Sequence, residues 1–145
     1  MICRSLNAGE EFECAGNIYR MLIPRDDTRC LEAVLETVAP GKATPPNAHD
    51  SFVQLFVFFS GKGRVHIDGQ VSEIVAPGVA FVPMNTTHYV ENHGDVPLAY
   101  MYVSIWPGRM PSGEDRPWRE VCARMIEEYS ERGFPPQAVG KPDGG

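Results

Sequence analysis

Apolar and polar residues alternate in short bursts along this chain, and glycine or proline interrupts nearly every burst. Alternation with period two, bounded by turn residues, is the signature of short β-strands. It predicts strands over 17–22, 30–38, 53–60, 63–67, 70–75, 80–82, 88–91 and 98–105. Turn signals lie between them at Pro40-Gly41, Ser60-Gly61-Lys62-Gly63, Asp68-Gly69, Pro77-Gly78, Pro83-Met84-Asn85 and His93-Gly94-Asp95. Asp68-Gly69, between RVHI and QVSEIV, predicts a two-residue hairpin, because both residues tolerate the positive φ of a type I′ turn. The segment 53–59 is apolar on both faces, so it belongs between two layers. After Pro107 the period changes. Pro117 can open a helix, and Trp118, Val121, Cys122, Met125, Ile126 and Tyr129 recur every three or four residues. Gly133 and Pro135-Pro136 stop it, which predicts one helix near 117–132, packed on the outside of the sheets or on a second subunit.

Composition narrows the class. The 145 residues suit one domain, read here as 1–136 with a flexible tail over 137–145. Thirteen prolines and fourteen glycines leave no room for long elements and favour an all-β sandwich or barrel. A net charge of −6 argues against nucleic acid as a partner, since phosphates demand a basic face. No apolar run is long enough to span a bilayer, and the polar N-terminus does not read as a signal peptide. Cys3, Cys14, Cys30 and Cys122 are scattered, with no Cys-x-x-Cys pair, and read as small buried hydrophobes in a reducing compartment. The expected setting is cytoplasmic, without a membrane partner.

Polar residues in apolar surroundings carry the candidate chemistry. Asn47 and His49 share strand parity and can face one side. Gln54 has the opposite parity and joins them only if the chain bends between Asp50 and Val53. His88 arrives on a separate strand. Imidazole nitrogens suit zinc, nickel, iron or manganese, and an amide oxygen is an acceptable weaker ligand. The plainer reading has Asn47 and Gln54 simply hydrogen-bonding two core histidines. His66 reads as surface-facing and His93 as a turn residue. Phe56, Phe58, Phe81, Tyr100, Tyr102 and Trp106 are candidates to line a pocket or to fill the core, and Tyr102 is the candidate general acid or hydrogen-bond donor to a substrate.

The stretch Gly41-(x5)-Asn47-x-His49-(x4)-Gln54-(x6)-Gly61 resembles the first cupin motif, G-(x5)-H-x-H-(x3–4)-E-(x6)-G. Pro83-x-Asn85-(x2)-His88-(x3)-Asn92 resembles the second, P-x-G-(x2)-H-(x3)-N. The resemblance implies a small single-domain cupin: a double-stranded β-helix, or jelly-roll barrel, with the C-terminal helix added. It also implies a divalent metal in the barrel, held by His49, His88, Gln54 and Asn47. The sequence departs from the pattern where Asn47 replaces a histidine, Gln54 the glutamate and Asn85 a glycine. Asp50 is a candidate replacement ligand or a solvated turn residue. With neutral ligands only, a bound divalent ion keeps its full charge and attracts an anion. Cupins that linearise unsaturated uronates are similar in carrying glutamine at the Gln54 position, though they keep the histidine that is Asn47 here. The expectation is a metal-dependent isomerase, lyase or dioxygenase acting on a small anionic metabolite such as a sugar acid or oxo acid. The alternative is a metal-free, non-catalytic sugar-binding or regulatory module. A homodimer is expected in either case.

Overall fold

A computed structural model describes residues 1–137. Nine strands and two helices follow one another: β1 Glu11–Cys14, β2 Asn17–Ile23, α1 Arg25–Thr28, β3 Leu31–Val38, β4 Val53–Ser60, β5 Lys62–Ile67, β6 Gln70–Val75, β7 Gly78–Val82, β8 His88–Glu91, β9 Leu98–Ile105 and α2 Trp118–Glu131. The strands form a six-stranded sheet in the order β1-β2-β3-β9-β4-β7 and a three-stranded sheet in the order β6-β5-β8, all antiparallel. This is the all-β cupin architecture with a C-terminal helix. Most of the expected tail, 138–145, lies outside the described residues.

Period two fixes which side chains face inward. On β3 the even positions Glu32, Val34, Glu36 and Val38 are buried, as are Gln54, Phe56 and Phe58 on β4 and Leu98, Tyr100 and Ser104 on β9. Register joins them into rows across the sheet. Glu32 lies opposite Ser104, which lies opposite Gln54, and Glu36 lies opposite Tyr100, which lies opposite Phe58. One apolar cluster gathers Val38, Phe56, Phe58, Val65, Val82, Val90, Leu98 and Tyr100. A second joins Cys14, Tyr19, Met21 and Val34 to Tyr129 of α2, with Trp118, Met125 and Ile126 packed against it.

The Asp68-Gly69 turn has φ of 51° and 76°, as a type I′ hairpin requires. Two elements escaped the sequence reading: β1, which pairs with β2 across a tight Ala15-Gly16 turn, and the single turn of α1. The helix docks within its own chain, over the cavity described below. Of the cysteines, Cys14 and Cys122 are buried as expected, whereas Cys3 and Cys30 are exposed. No helix among the described residues is long and apolar enough to cross a membrane.

Candidate metal and ligand site

Residues 41–49 run antiparallel to β8 as an irregular extra strand. Pro45 and Pro46 lack the N–H groups of a regular ladder, so pairing is confined to bridges at Ala43–Glu91 and Asn47–His88. The second bridge is reciprocal: Asn47 N–H donates to His88 O at 3.0 Å and His88 N–H donates to Asn47 O at 2.8 Å. Side chains directly opposite in a ladder leave on the same face, and this pairing brings the two sequence motifs together. The chain then bends at Asp50-Ser51, which delivers Gln54 to the same interior as His49. Asn85, with φ of 57°, adopts the left-handed backbone that asparagine tolerates in place of glycine, and its N–H donates to His49 O at 2.6 Å.

Asn47, His49, Gln54 and His88 line one cavity of about 100 Å³. The imidazoles of His49 and His88 sit with ring centroids 5.2 Å apart, tilted by 54°. His49 stacks on Phe52 at 4.3 Å, and Phe52 leans on Trp106. His88 Nδ1 lies 2.9 Å from Thr86 O. A carbonyl only accepts, so Nδ1 carries the hydrogen and the Nε2 lone pair remains available. Burial holds both imidazoles neutral: it lowers His88, and together with His88 and Arg25 it brings His49 down to about 3. Gln54 donates from Nε2 to Ser104 Oγ at 3.0 Å, while its buried Oε1 has no partner. Asn47 donates from Nδ2 to the Tyr129 hydroxyl at 2.7 Å, which ties the cavity to α2.

The donor set suits a borderline divalent ion: two neutral imidazoles and an orphaned amide oxygen, with no charged group committed to it. Among the described residues no group of three or more His, Cys, Asp or Glu comes together as a metal cage, so the candidate donors beside the two imidazoles are amide oxygens. Asp50 is exposed and does not line the cavity, which leaves it the solvated turn residue. His66 stacks on Tyr89 at 4.1 Å and bonds Glu91, and His93 pairs with Glu73, both away from the cavity.

Tyr102 lines the cavity, as do Phe56 and Tyr100. Burial first, then Glu32 and Glu36, push the Tyr102 phenol well above its ordinary value, so it serves as a hydrogen-bond donor and holds its proton at neutral pH. Phe81 points outward at 58% exposure, because its parity on β7 places it opposite the buried Val82. Phe58 is core, and Trp106 packs between Phe52 and the Arg25 guanidinium.

Further cavity residues went unread in the sequence: Arg25, Glu32, Glu36, Ser104 and Tyr129. Arg25 and Glu32 form a two-pronged ion pair at 2.7 and 3.1 Å. Burial alone would lower the guanidinium, and the Glu32 carboxylate outweighs it. Glu36 accepts from Tyr100 Oη at 2.6 Å. The signal for both acids was present: Glu32 and Glu36 share the parity of Val34 and Val38, so charges stood at inward positions of a core strand.

Relatives fit this architecture. An uncharacterized protein of Methanocaldococcus jannaschii is 27% identical over 94 residues, 63% of this chain and 75% of that protein. A putative mannose-1-phosphate guanylyltransferase of Vibrio cholerae is 34% identical over 62 residues, 43% of this chain but 13% of that much longer protein. A crystal structure of a predicted oxalate decarboxylase from Thermotoga maritima superimposes with a TM-score of 0.64 at 21% identity, over 73% of this chain and 99% of that one. A cupin domain from Schizosaccharomyces pombe does so with a TM-score of 0.66 at 15% identity, over 92% and 81%. The cupin domain family matches residues 34–106, spanning both motifs and every strand from β4 to β9, and the chain belongs to that family.

Proposed function

We propose that this protein is a metal-dependent enzyme of the small cupins, with His49, His88 and Gln54 as ligands to one divalent ion and a small anionic metabolite as substrate. The observation that carries the reading is the set of unspent acceptors in one cavity. His88 has its Nδ1 hydrogen bonded to Thr86 O, and Gln54 has its Nε2 held by Ser104 with Oε1 left over. Orienting each ligand through its other polar atom is how proteins preset a metal shell. Asn47 is the weakest of the four: its Nδ2 is held by Tyr129 as Gln54's Nε2 is by Ser104, but the residue is only half-buried and its Oδ1 is not stranded in the interior as Gln54 Oε1 is.

A bound divalent ion supplies a Lewis acid and, with no carboxylate among these ligands, an undiminished positive charge for an anion. The chain supplies the rest. Phe52, backed by Trp106, and Phe56 line the cavity with apolar rings, and Tyr102 offers a phenolic hydrogen bond to substrate. The reaction types compatible with these parts are isomerisation, lyase chemistry or oxygenation. A metal-free binding module is the rival reading. Calorimetric titration of zinc and of a small carboxylate such as threonate, each with and without the other, separates the two. The enzyme reading expects mutual enhancement that His49→Ala and His88→Ala both abolish. Carboxylate binding indifferent to zinc and to both substitutions would leave the binding module.

We also propose that two copies pair through β6 and β7, the outer strands of the two sheets. Val71 and Val75 on β6 and Val79 and Phe81 on β7 are 56%, 68%, 65% and 58% exposed. Large apolar side chains on neighbouring sheet edges favour a partner with the same surface. Sedimentation should show a dimer that Phe81→Glu converts to monomer; a wild-type monomer refutes it.

A further inference from the structure

The cavity that holds the candidate metal ligands carries a further polar group, on β3, that the cupin motifs do not include. Glu36 of β3 is 3% exposed and lines the cavity. Its Oε2 accepts from the Tyr100 hydroxyl at 2.6 Å, the Tyr19 hydroxyl also lies close enough to stabilise the carboxylate, and Oε1 has no partner within ordinary hydrogen-bond distance. Tyr19 of β2 lies directly across the ladder from Glu36, and Tyr102 of β9 and Tyr129 of α2 stand beside them on the cavity wall. A carboxyl group among phenols, with one oxygen unanswered, is costly to keep in a dry interior. Apolar residues fill the equivalent inward positions Val34 and Val38 on the same strand, so packing did not require an acid at this position.

We infer that Glu36, positioned by Tyr100, is a ligand subsite that accepts a hydroxyl hydrogen of the substrate, which makes the substrate a small hydroxylated carboxylic acid rather than a simple or purely oxo acid. The inference rests on the reading above that an anionic head group faces His49, His88 and Gln54, and it assigns the rest of the molecule. A ligand in this cavity would meet head-group residues from β4, β8 and the 41–49 segment and, from β3 in the same sheet as β4, the Glu36 carboxyl. A cavity of about 100 Å³ suits a short acid. Burial of Glu36, which raises it to about 7 against the opposing pull of its hydrogen bonds, is consistent with a group kept for a partner that is not part of the protein.

The test compares two probes of one chain length, threonate and butyrate, by calorimetry at pH 8 with metal-free and with zinc-loaded protein. A hydrogen bond to a charged acceptor is worth at least tenfold in affinity. Glu36→Gln and Glu36→Leu should each weaken threonate at least tenfold and leave butyrate within about twofold of wild type. Circular dichroism of both variants reports that they fold; should Glu36→Leu fail to, Glu36→Gln, which keeps shape and an acceptor for Tyr100, decides. Equal weakening of both probes, or of neither, overturns the subsite, as does a wild type that binds no threonate. The metal reading fails separately. Threonate binding that is sensitive to Glu36 but indifferent to zinc removes the metal and keeps the subsite; zinc-dependent binding of both acids that ignores Glu36 does the reverse.

Discussion

Replacing Glu36 by glutamine isolates the free energy of one buried proton. In the folded protein burial raises this carboxyl from 4.5 to about 7, while hydrogen bonds from Tyr100 and Tyr19 oppose the rise. Between those values the folded chain holds a proton that the unfolded chain has already lost. Stability therefore falls as pH rises through that window and levels off above it. Each pH unit is worth about 1.4 kcal/mol, so the acid weakens the folded state by about 3 kcal/mol at pH 8 relative to pH 4.5. The groups facing Glu36 do not interfere. Tyr19 from β2, Tyr100 and Tyr102 from β9, Tyr129 from α2 and Cys14 from β1 are all pushed upward, burial being the first cause in each case, and stay neutral throughout. His49 works in the opposite sense: lowered to about 3, it contributes stability that is lost as pH falls below 6.5. It does so equally in both proteins and cancels in their difference. Denaturant unfolding of wild type and Glu36→Gln, at intervals from pH 4.5 to 8, should give a variant whose relative stability grows by about 3 kcal/mol across the series. A difference that stays flat, or that moves in favour of the wild type at high pH, would refute the assignment of a raised, buried carboxyl.

Two further outcomes probe the scaffold that positions the site. Asn92, 1% exposed, donates from Nδ2 to Val38 O and Val96 O and accepts from Gly94 N–H. Asn92→Ala strands the buried Val38 O and removes the partner of two part-buried groups, Val96 O and Gly94 N–H, so thermal or denaturant unfolding should show a loss of about 1–3 kcal/mol; a loss within experimental error would mean the turn rearranges freely. Gly61 has φ of 88°, and a Cβ there would lie 2.6 Å from Pro97 O. Gly61→Ala should cost about 2 kcal/mol or more by the same measurement, whereas Gly69→Ala, with φ of 76° but nothing within 4 Å, should cost less.

Much of the barrel was legible because its signals are local. Period two, turn residues and the Asp68-Gly69 pair placed β4, β6, β8 and β9 at their observed limits. The strand β1 was missed because EFEC carries two acids in four residues and owes its strand state to pairing with β2; propensity alone cannot report a tertiary partner. At the site, parity placed Asn47 with His49, and the required bend before Gln54 is present at Asp50-Ser51. The acids at 32 and 36 were overlooked although the rule that placed Gln54 applied to them equally: a charged residue in phase with buried valines is either paired, as Glu32 is with Arg25, or held for something else. Arg25 could not have been read at all, and Tyr129 only as part of a packing stripe. They enter the cavity from a one-turn helix and from α2, and no periodicity within either segment records what lies across the gap.

X-ray absorption at the zinc edge of protein loaded with one equivalent of zinc tests the central claim most directly. Convergence of His49, His88 and Gln54 predicts two imidazole nitrogens at about 2.0 Å with oxygen completing the shell, and loss of one imidazole contribution in His88→Ala. A spectrum of oxygen scatterers alone, unchanged by that substitution, would contradict it.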